Sequence, residues 1–248
     1  MDSREPSRSL KRSEAEFATT QWSLVLAAGE QGTEKSSRAL EKLCRGYWPP
    51  LYAYARRRAV SIHEAQDLTQ AFFERVLEQN YLADATPERG RFRAFLITAF
   101  KHFLANEWDR QTALKRGGKV RRLSLDFDSD RHAGRIETAH SETPDQIYER
   151  QWTLTLLDRV IQRLQREQER AGRGAEFHRL KHFIIGQSGE SYAQAAADLG
   201  MNESAARMAA SRMRQWYRQL LRDEIAQTVA SPDDVDDEIQ HMFAILSN

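Results

Sequence analysis

The amino-acid sequence predicts an all-α fold of two small helical domains joined by a flexible linker. Apolar residues recur at helical spacing over most of the chain, and no stretch alternates strictly enough to form a half-buried strand. Prolines (6) and glycines (12) are few among the 248 residues, which permits long helices. The charged fraction of 29% suits small helical domains, because small domains expose a large share of their residues.

One aperiodic segment separates the two predicted domains. Residues 123–147 are acidic, polar and without an apolar period, as expected for a linker. We therefore predict a first domain over residues 19–122 and a second over residues 148–225. A disordered N-terminal extension (1–18) and an acidic C-terminal extension (226–248) flank them.

The formal net charge of +1 conceals a strong separation of charge along the chain. Residues 91–122 contain nine Lys or Arg and two acids, whereas residues 223–248 contain seven acids and no Lys or Arg. Separate basic blocks in a near-neutral chain indicate nucleic-acid binding, with the acidic segments left for other partners.

Several other classes of protein are disfavoured. Cys44 is the only cysteine, which excludes a disulfide framework and a thiolate metal site. No apolar run approaches the roughly 18 residues of a membrane span, and the N-terminus lacks the apolar core of a signal peptide. We expect a soluble cytoplasmic protein that makes no membrane contact.

The first domain begins with a helical pattern from Thr20 to a Gly-rich break at 29–32. A helix through Leu40 and Cys44 is predicted next, and Pro49-Pro50 is predicted to start another, since proline is tolerated in a first helical turn. Residues 64–79 then form an amphipathic pattern whose apolar stripe opposes Asp67, Gln70 and Glu74. From periodicity alone, that polar side is an ordinary solvated face.

The longest clean pattern covers residues 91–112, where eight apolar and aromatic residues define a core face. Its outer face is basic and continues into the sequence KRGGKVRR. Basic residues interleaved with aromatic ones are typical of proteins that bind single-stranded nucleic acid. All of the aromatic residues could instead be core; we assign most of the phenylalanines to the core and the binding signal to the basic outer face.

The second domain is predicted to contain a helix-turn-helix. An amphipathic helix runs to about residue 169 and a shorter one spans residues 176–185. Ser191 and Gln194 then form a capping box, Gly200 ends that helix, and Asn202 caps a longer one that runs to about Leu221. Two helices around a short turn with glycine are the helix-turn-helix arrangement.

The longer helix has two faces. Its buried stripe is predicted to comprise Ala206, Ala209, Ala210, Met213, Trp216, Tyr217 and Leu220. The opposite stripe comprises Ser204, Arg207, Ser211, Arg214 and Arg218. Arginine offers a planar set of donors that suits phosphate and the guanine edge, so this stripe predicts a DNA-reading helix; an ordinary solvated basic face is the alternative.

Neither metal nor cofactor binding is predicted. Asp126, Asp128, Asp130 and Glu137 have the spacing of a calcium loop, but Arg131 occupies the position where the sharp turn needs glycine. His178 and His182 lie one helical turn apart without an evident third ligand. The sequence contains no phosphate-binding loop, nucleophile elbow or catalytic Cys-His signature, so we expect no enzymatic activity and no cofactor.

Together, the two halves resemble bacterial RNA polymerase sigma factors of the extracytoplasmic-function (ECF) type, over roughly residues 36–112 and 145–222. The segment AQDLTQAFFERVL resembles the family's polymerase-binding helix, Asp-aliphatic-x-Gln-x-x-Phe. The resemblance implies that Asp67, Leu68, Gln70 and Phe73 bind the clamp coiled coil of core RNA polymerase, which replaces the solvated-face interpretation of this helix.

The segment RGRFRAFLITAFKHFLANEWDR resembles the family's reader of the melted minus-ten promoter element. Phe-Arg-Ala-Phe-Leu stands here where the family commonly has Phe-Arg-x-Trp-Leu, and Lys101-His102 where an Arg-Asn pair is common. The loop 82–91 corresponds to the family's pocket for a flipped-out base. The implied DNA-binding residues are Arg91, Arg93, Lys101, His102, Asn106, Arg110, Lys115 and Arg116.

The helix-turn-helix resembles the family's reader of the minus-thirty-five element, with alanine at positions 206 and 210 where valine is frequent. The implied DNA-binding residues are Glu203, Ser204, Arg207, Met208, Ser211, Arg212, Arg214 and Arg218. The implied function is that of a sigma factor, whose partners are core RNA polymerase and promoter DNA. The sequence does not decide whether an anti-sigma protein also binds.

Alternatives remain at two levels. The chain could be a helix-turn-helix regulator that binds duplex DNA without polymerase, or an interaction protein that sequesters a partner.

The C-terminal extension has an amphipathic pattern from Val235 to Leu246. It could dock on the basic DNA-facing surface and restrain activity, or it could form a capping helix that completes the second domain.

Overall fold

The computed structural model describes residues 21–29, 33–59, 61–78, 82, 91–114, 142–186, 191–229 and 231–247. The α-helices of this part are α1 (Gln21–Gly29), α2 (Glu34–Arg58), α3 (Ile62–Glu78), α4 (Phe92–Leu114), α5 (Pro144–Arg170), α6 (Gly174–Ile184), α7 (Tyr192–Asp198), α8 (Glu203–Ala226) and α9 (Val235–Ser247). A 3₁₀ turn, Pro232–Asp234, precedes α9, and the described residues contain no strand. The predicted all-α class is confirmed.

The chain divides into two compact units. One comprises Met1–Tyr148 with Gln227–Ala230, and the other comprises Glu149–Ala226 with Ser231–Asn248. Most of the predicted linker, residues 123–141, and the predicted disordered N-terminal extension lie outside the described residues. No helix in the described part of the chain has both the length and the apolar character needed to cross a membrane.

The core of the first unit is an aromatic cluster between α2, α3 and α4. Phe72 lies at its centre, with ring centroids 4.9 Å from Phe100 and 5.6 Å from Phe103. Tyr54 of α2 packs edge-on against Phe100 at 5.9 Å. Each such pair adds about 0.5–1.5 kcal/mol beyond the apolar area that it buries. The aromatic residues of α4 are therefore largely core, as predicted.

Helix α2 differs from the sequence prediction, because Pro49 and Pro50 lie inside it rather than at the start of a new helix. The helix begins after Thr33, whose hydroxyl accepts a hydrogen bond from the Ser36 amide at 3.0 Å. Proline inside a helix removes a hydrogen bond and costs about 3 kcal/mol. Residues 46–55 are buried without exception, and this burial offsets the cost.

Helix α5 begins at Pro144, inside the segment predicted as linker and four residues before the predicted second domain. The Thr143 hydroxyl accepts from the Gln146 amide (3.2 Å), and the Gln146 side chain accepts from the Thr143 amide (2.8 Å). This reciprocal capping box with proline at the first helical position is the signal that the prediction overlooked. Ile147 and Tyr148 are buried, so packing favours the longer helix.

In the second unit, α8 packs on α6 and α7. The buried residues of this unit include Leu156, Val160 and Leu164 from α5, Phe177 and Leu180 from α6, Ala195 and Ala196 from α7, and Ala206, Ala210 and Met213 from α8. Because alanine side chains are small, α7 and α8 can approach closely, which suits a short turn between them.

Helix α9 packs in the second unit. Ile239, Met242 and Leu246 line a small apolar space together with Thr153 and Leu157 of α5 and Leu221 and Ile225 of α8. Arg222 of α8 forms a two-pronged ion pair with Asp236, and this contact holds the pKa of Asp236 below its usual value. The arrangement supports the capping-helix alternative for the C-terminal extension.

Candidate polymerase and nucleic-acid interfaces

The four residues predicted to bind polymerase divide into exposed and buried pairs. Asp67 is exposed and Gln70 is partly exposed, with its side-chain amide donating to Glu74 Oε1 at 3.1 Å. Leu68 and Phe73 are only 6% and 8% exposed. Asp67 and Gln70 are thus available to a partner. Leu68 and Phe73 face the core and position the helix.

Phe73 illustrates this positioning role. Its ring stacks on Trp48 of α2, with centroids 5.8 Å apart and planes 16° apart, and it also contacts Phe72. The exposed face of α3 includes Leu77, which is 42% exposed and which the sequence analysis did not assign to the site. Leu77 lies seven residues after Gln70, so both lie on the same side of the helix. This seven-residue spacing could have identified Leu77 as part of the site from the sequence alone.

The outer face of α4 contains an exposed row at four-residue spacing, formed by Thr98, His102, Asn106 and Arg110. Residues four apart on a helix lie on one face, so His102, Asn106 and Arg110 form a continuous polar surface, as predicted. Arg110 Nη1 lies 3.0 Å from Glu107 Oε1. Lys115 and Arg116, also predicted to bind DNA, lie outside the described residues.

Arg93 was predicted to lie on this outer face, and that prediction is wrong. Arg93 is only 3% exposed, and its carbonyl oxygen accepts a 2.9 Å hydrogen bond from the hydroxyl of Tyr148. Tyr148 is itself 1% exposed. The first turn of α5 thus covers the start of α4, a contact between residues 55 positions apart that helical periodicity cannot reveal. Arg91 is partly exposed.

Lys101 is exposed but already has an anionic partner. Its ammonium group forms an ion pair with Asp145 in the first turn of α5 and lies 5.9 Å from the centroid of the Tyr54 ring. Tyr54 is fully buried, and this burial raises the pKa of its phenol against the opposing effect of Arg58 and Lys101. The Arg58 guanidinium lies over both Tyr54 (5.5 Å) and Trp108 (5.8 Å). Arg58, which the prediction left out, therefore adds a cation beside α4.

The local geometry of the α7–α8 turn follows the predicted signals. The Ser191 hydroxyl accepts from the Gln194 amide at 3.2 Å, and Asn202 Oδ1 accepts from the Ala205 amide at 2.8 Å. Gly200 has φ +63°, the left-handed conformation expected at a helix end. The capping box is only half formed, because the Gln194 side chain donates to Asp198 instead.

The predicted DNA-facing residues of α8 are exposed, apart from Arg214, which is partly exposed; the exposed ones are Glu203, Ser204, Arg207, Met208, Ser211, Arg212 and Arg218. Ala206, Ala209, Ala210, Met213 and Leu220 are buried, as predicted. The structure therefore brings an arginine-rich stripe to one side of a helix that is anchored by its alanine side.

Trp216 was predicted to lie in the buried stripe, and that prediction is wrong. Trp216 is 49% exposed, and its Nε1–H donates to Glu167 Oε2 at 2.6 Å. Tyr217 is partly buried, and burial together with Asp158 raises its pKa to about 12. Trp216 and Arg212 line an open groove of about 450 Å³ against α5 and α6. Arg212 thus lies beside the arginine stripe rather than in it.

The described residues give no indication of a metal site. They contain no group of three or more His, Cys, Asp or Glu side chains that could hold an ion. His178 lies 3.7 Å from Glu169, and the residues with calcium-loop spacing are outside the described part.

Burial raises the pKa of Cys44 to about 11, which keeps this thiol protonated and poorly nucleophilic at neutral pH.

Comparison with known proteins gives one family. The family model described as "ECF sigma factor" matches residues 23–223. Searches of curated proteins and of solved structures gave no match. The matched region contains α3, α4, α7 and most of α8, and therefore both candidate interfaces. Because the match covers most of the chain, the protein belongs to the ECF sigma factor family.

Proposed function

We propose that this sigma factor is a dissociable promoter-specificity subunit that binds core RNA polymerase and directs it to promoter DNA. The observation that carries the proposal is the exposed arginine stripe on α8, in a chain that also exposes Asp67 and Gln70 on α3. A regulator that acts without polymerase would have no use for the α3 face. The polymerase would perform the chemistry, and this chain would supply recognition alone.

Polymerase binding is proposed for the exposed side of α3. Asp67 and Gln70 provide charge and hydrogen bonds, and Leu77 adds an exposed apolar side chain on the same side. An apolar residue beside polar ones is the usual composition of a protein interface, whose apolar centre has a polar rim. Leu68 and Phe73 support this side from the core.

Capture of the melted minus-ten strand is proposed for the outer side of α4. His102 and Asn106 offer donors and acceptors to base edges, while Lys101 and Arg110 offer cations to phosphates. Because most α4 aromatic rings are committed to the core, the contribution to base stacking would fall to Phe95 and Trp108, which are partly exposed.

Recognition of the minus-thirty-five element is proposed for α8. Arg207, Ser211 and Arg218 lie on one exposed side of a helix that follows a tight turn, the arrangement in which a recognition helix enters the major groove. Arginine can bind guanine O6 and N7 or a phosphate, so both specificity and affinity can come from this stripe.

Run-off transcription with core polymerase tests the proposal. Specific initiation should require the added protein, because polymerase core alone lacks promoter recognition.

Asp67→Ala with Gln70→Ala should weaken co-purification with core polymerase, whereas Asp237→Ala, an equal charge change on α9, should not. Both target side chains are at least partly exposed, so the double variant should fold.

DNA recognition is tested with Arg207→Ala combined with Arg218→Ala, and Arg166→Ala combined with Arg170→Ala on α5 is the matched control. The α8 double variant should lose initiation while it still binds core polymerase. Duplex binding that is equally strong and specific without polymerase would favour a stand-alone regulator. Core binding with no initiation from any template would favour a sequestering protein.

A further inference from the structure

Three side chains from three successive helices form one stack in the second unit. The Phe183 ring of α6 lies parallel to the Tyr192 ring of α7, with centroids 4.0 Å apart and planes 13° apart. The guanidinium carbon of Arg207 on α8 lies 4.8 Å from the Tyr192 ring centroid. A cation within about 6 Å of an aromatic centroid is attracted by the ring. The stack therefore joins the exposed Arg207 to two helices outside its own.

Glu203 restrains the same guanidinium from a different direction. Arg207 Nε and Nη2 both donate to Glu203 Oε1, at 3.0 and 2.5 Å. Of the five N–H donors of arginine, these two hydrogen bonds use two and leave three. Arg207 is thus held in place while it keeps donors for another acceptor, and its side chain is 61% exposed.

Restraint of this kind matters for a long side chain that must contact one base or phosphate. A freely rotating arginine loses conformational entropy when it binds, and a pre-positioned arginine loses less. Tyr192 lies on α7 and Phe183 on α6, so neither belongs to the exposed stripe of α8 that is proposed to contact bases. Their effect on DNA recognition would act through Arg207.

We infer that Tyr192 is a positioning residue for Arg207, with Phe183 stacked on the Tyr192 ring, and that the pair sharpens sequence recognition by α8. The inference rests on the proposed role of Arg207 in reading the minus-thirty-five element. It assigns Tyr192 an effect on specificity at the bases that Arg207 contacts. A residue that merely joined α6 to α7 would have no such effect.

The test uses holoenzyme assembled from core polymerase and the full chain. The probe is a pool of linear duplexes with 40 randomised base pairs, selected by retention with holoenzyme and then sequenced. The variants are Arg207→Ala, Tyr192→Leu, Tyr192→Phe and the Tyr192→Leu/Arg207→Ala double. Binding titrations with one selected duplex then give the relative affinity of the holoenzyme that contains each variant.

Arg207→Ala should broaden the base preference at one or two adjacent positions. Tyr192→Leu should broaden the same positions and weaken binding by about 2- to 5-fold, the scale of an exposed cation–π contact. Tyr192→Phe keeps the ring and should match the wild type. Tyr192→Leu should add nothing in the Arg207→Ala background.

The outcomes distinguish a failure of the proposed role of Arg207 from a failure of the positioning role of Tyr192. No change on Arg207→Ala would remove the proposed reader and the inference with it. A change on Arg207→Ala with none on Tyr192→Leu would overturn the inference and leave the reader. If Tyr192→Leu fails to fold by circular dichroism, phenylalanines of increasing fluorination at position 192 keep the shape and weaken the ring's attraction for cations. The base preference of these variants should broaden as fluorination increases, and an unchanged base preference would refute the inference.

Discussion

At the scale of single residues, the ion pair of Lys101 with Asp145 limits the ability of Lys101 to bind a DNA phosphate. Its ion pair with Asp145 would have to be exchanged for a phosphate before Lys101 could hold a DNA strand. Tyr148, three residues further on, covers the start of α4 and donates a hydrogen bond to the Arg93 carbonyl. The first turn of α5 would therefore compete with DNA for the proposed binding side of α4.

Asp145→Asn tests this competition. The variant removes the competing charge, so holoenzyme should bind a short single-stranded DNA more tightly. An exposed ion pair contributes about 0.2–1 kcal/mol, so the gain should not exceed about 5-fold. Fluorescence anisotropy of a labelled oligonucleotide measures it, with Asp237→Asn as the matched control. Unchanged or weaker binding by Asp145→Asn would contradict the competition, and Lys101→Met should abolish any gain.

Tyr217 gives a prediction about stability and pH. Burial raises its folded-state pKa from 10.0 to about 12, so folding favours the protonated phenol. Its contribution is fully present below pH 10 and is lost as the pH rises towards 12, by at most about 3 kcal/mol since one pKa unit corresponds to about 1.4 kcal/mol.

Urea unfolding at pH 8 and pH 11 measures this contribution. Tyr217→Phe cannot ionise and should lose less stability between the two pH values than the wild type. Cys44 also has a raised pKa and titrates in both proteins, so the comparison isolates Tyr217. An equal loss in both proteins would show that Tyr217 is not responsible.

At the scale of elements, local chemistry made the ends of α7 and α8 predictable. Ser191, Gly200 and Asn202 act within a few residues of themselves, so their roles can be deduced from spacing alone. The course of α2 was not predictable in this way, because burial around Pro49 and Pro50 outweighs their local preference. The exposure of Trp216 likewise depends on Glu167, 49 positions away.

Helix α9 lies beyond the region that matches the family, yet it buries apolar residues of the second unit. Met242 is 3% exposed, and Met242→Ala should lower the free energy of unfolding by about 2–5 kcal/mol. Thermal unfolding followed by circular dichroism measures the loss, with the exposed Gln240→Ala as control. A helix that acted only as a detachable restraint would give equal melting for both variants and more transcription for Met242→Ala.

At the scale of the whole molecule, the net charge of +1 is a poor guide to nucleic-acid affinity. Within the described residues, arginines are concentrated on the stripe of α8, while exposed acidic residues are concentrated on the 3₁₀ turn and the first turn of α9. Such local concentration allows phosphate contacts in a near-neutral chain. The charge of the α8 stripe, rather than the net charge of the chain, is therefore the relevant quantity for the proposed minus-thirty-five site.

This distribution makes the salt dependence of promoter binding the most direct measure of the proposed contacts. Each phosphate contact that is lost should lower the slope of log K against log salt by about 0.9 on duplex DNA. Arg207→Ala with Arg218→Ala should lower it by about 1.8 if both contact phosphates, and by less if Arg207 binds a base, because base contacts change affinity with little change in the slope. Arg166→Ala with Arg170→Ala, which removes the same two charges from α5, should leave the slope unchanged. An equal decrease for this control would mean that the total charge of the chain, rather than the α8 stripe, governs binding.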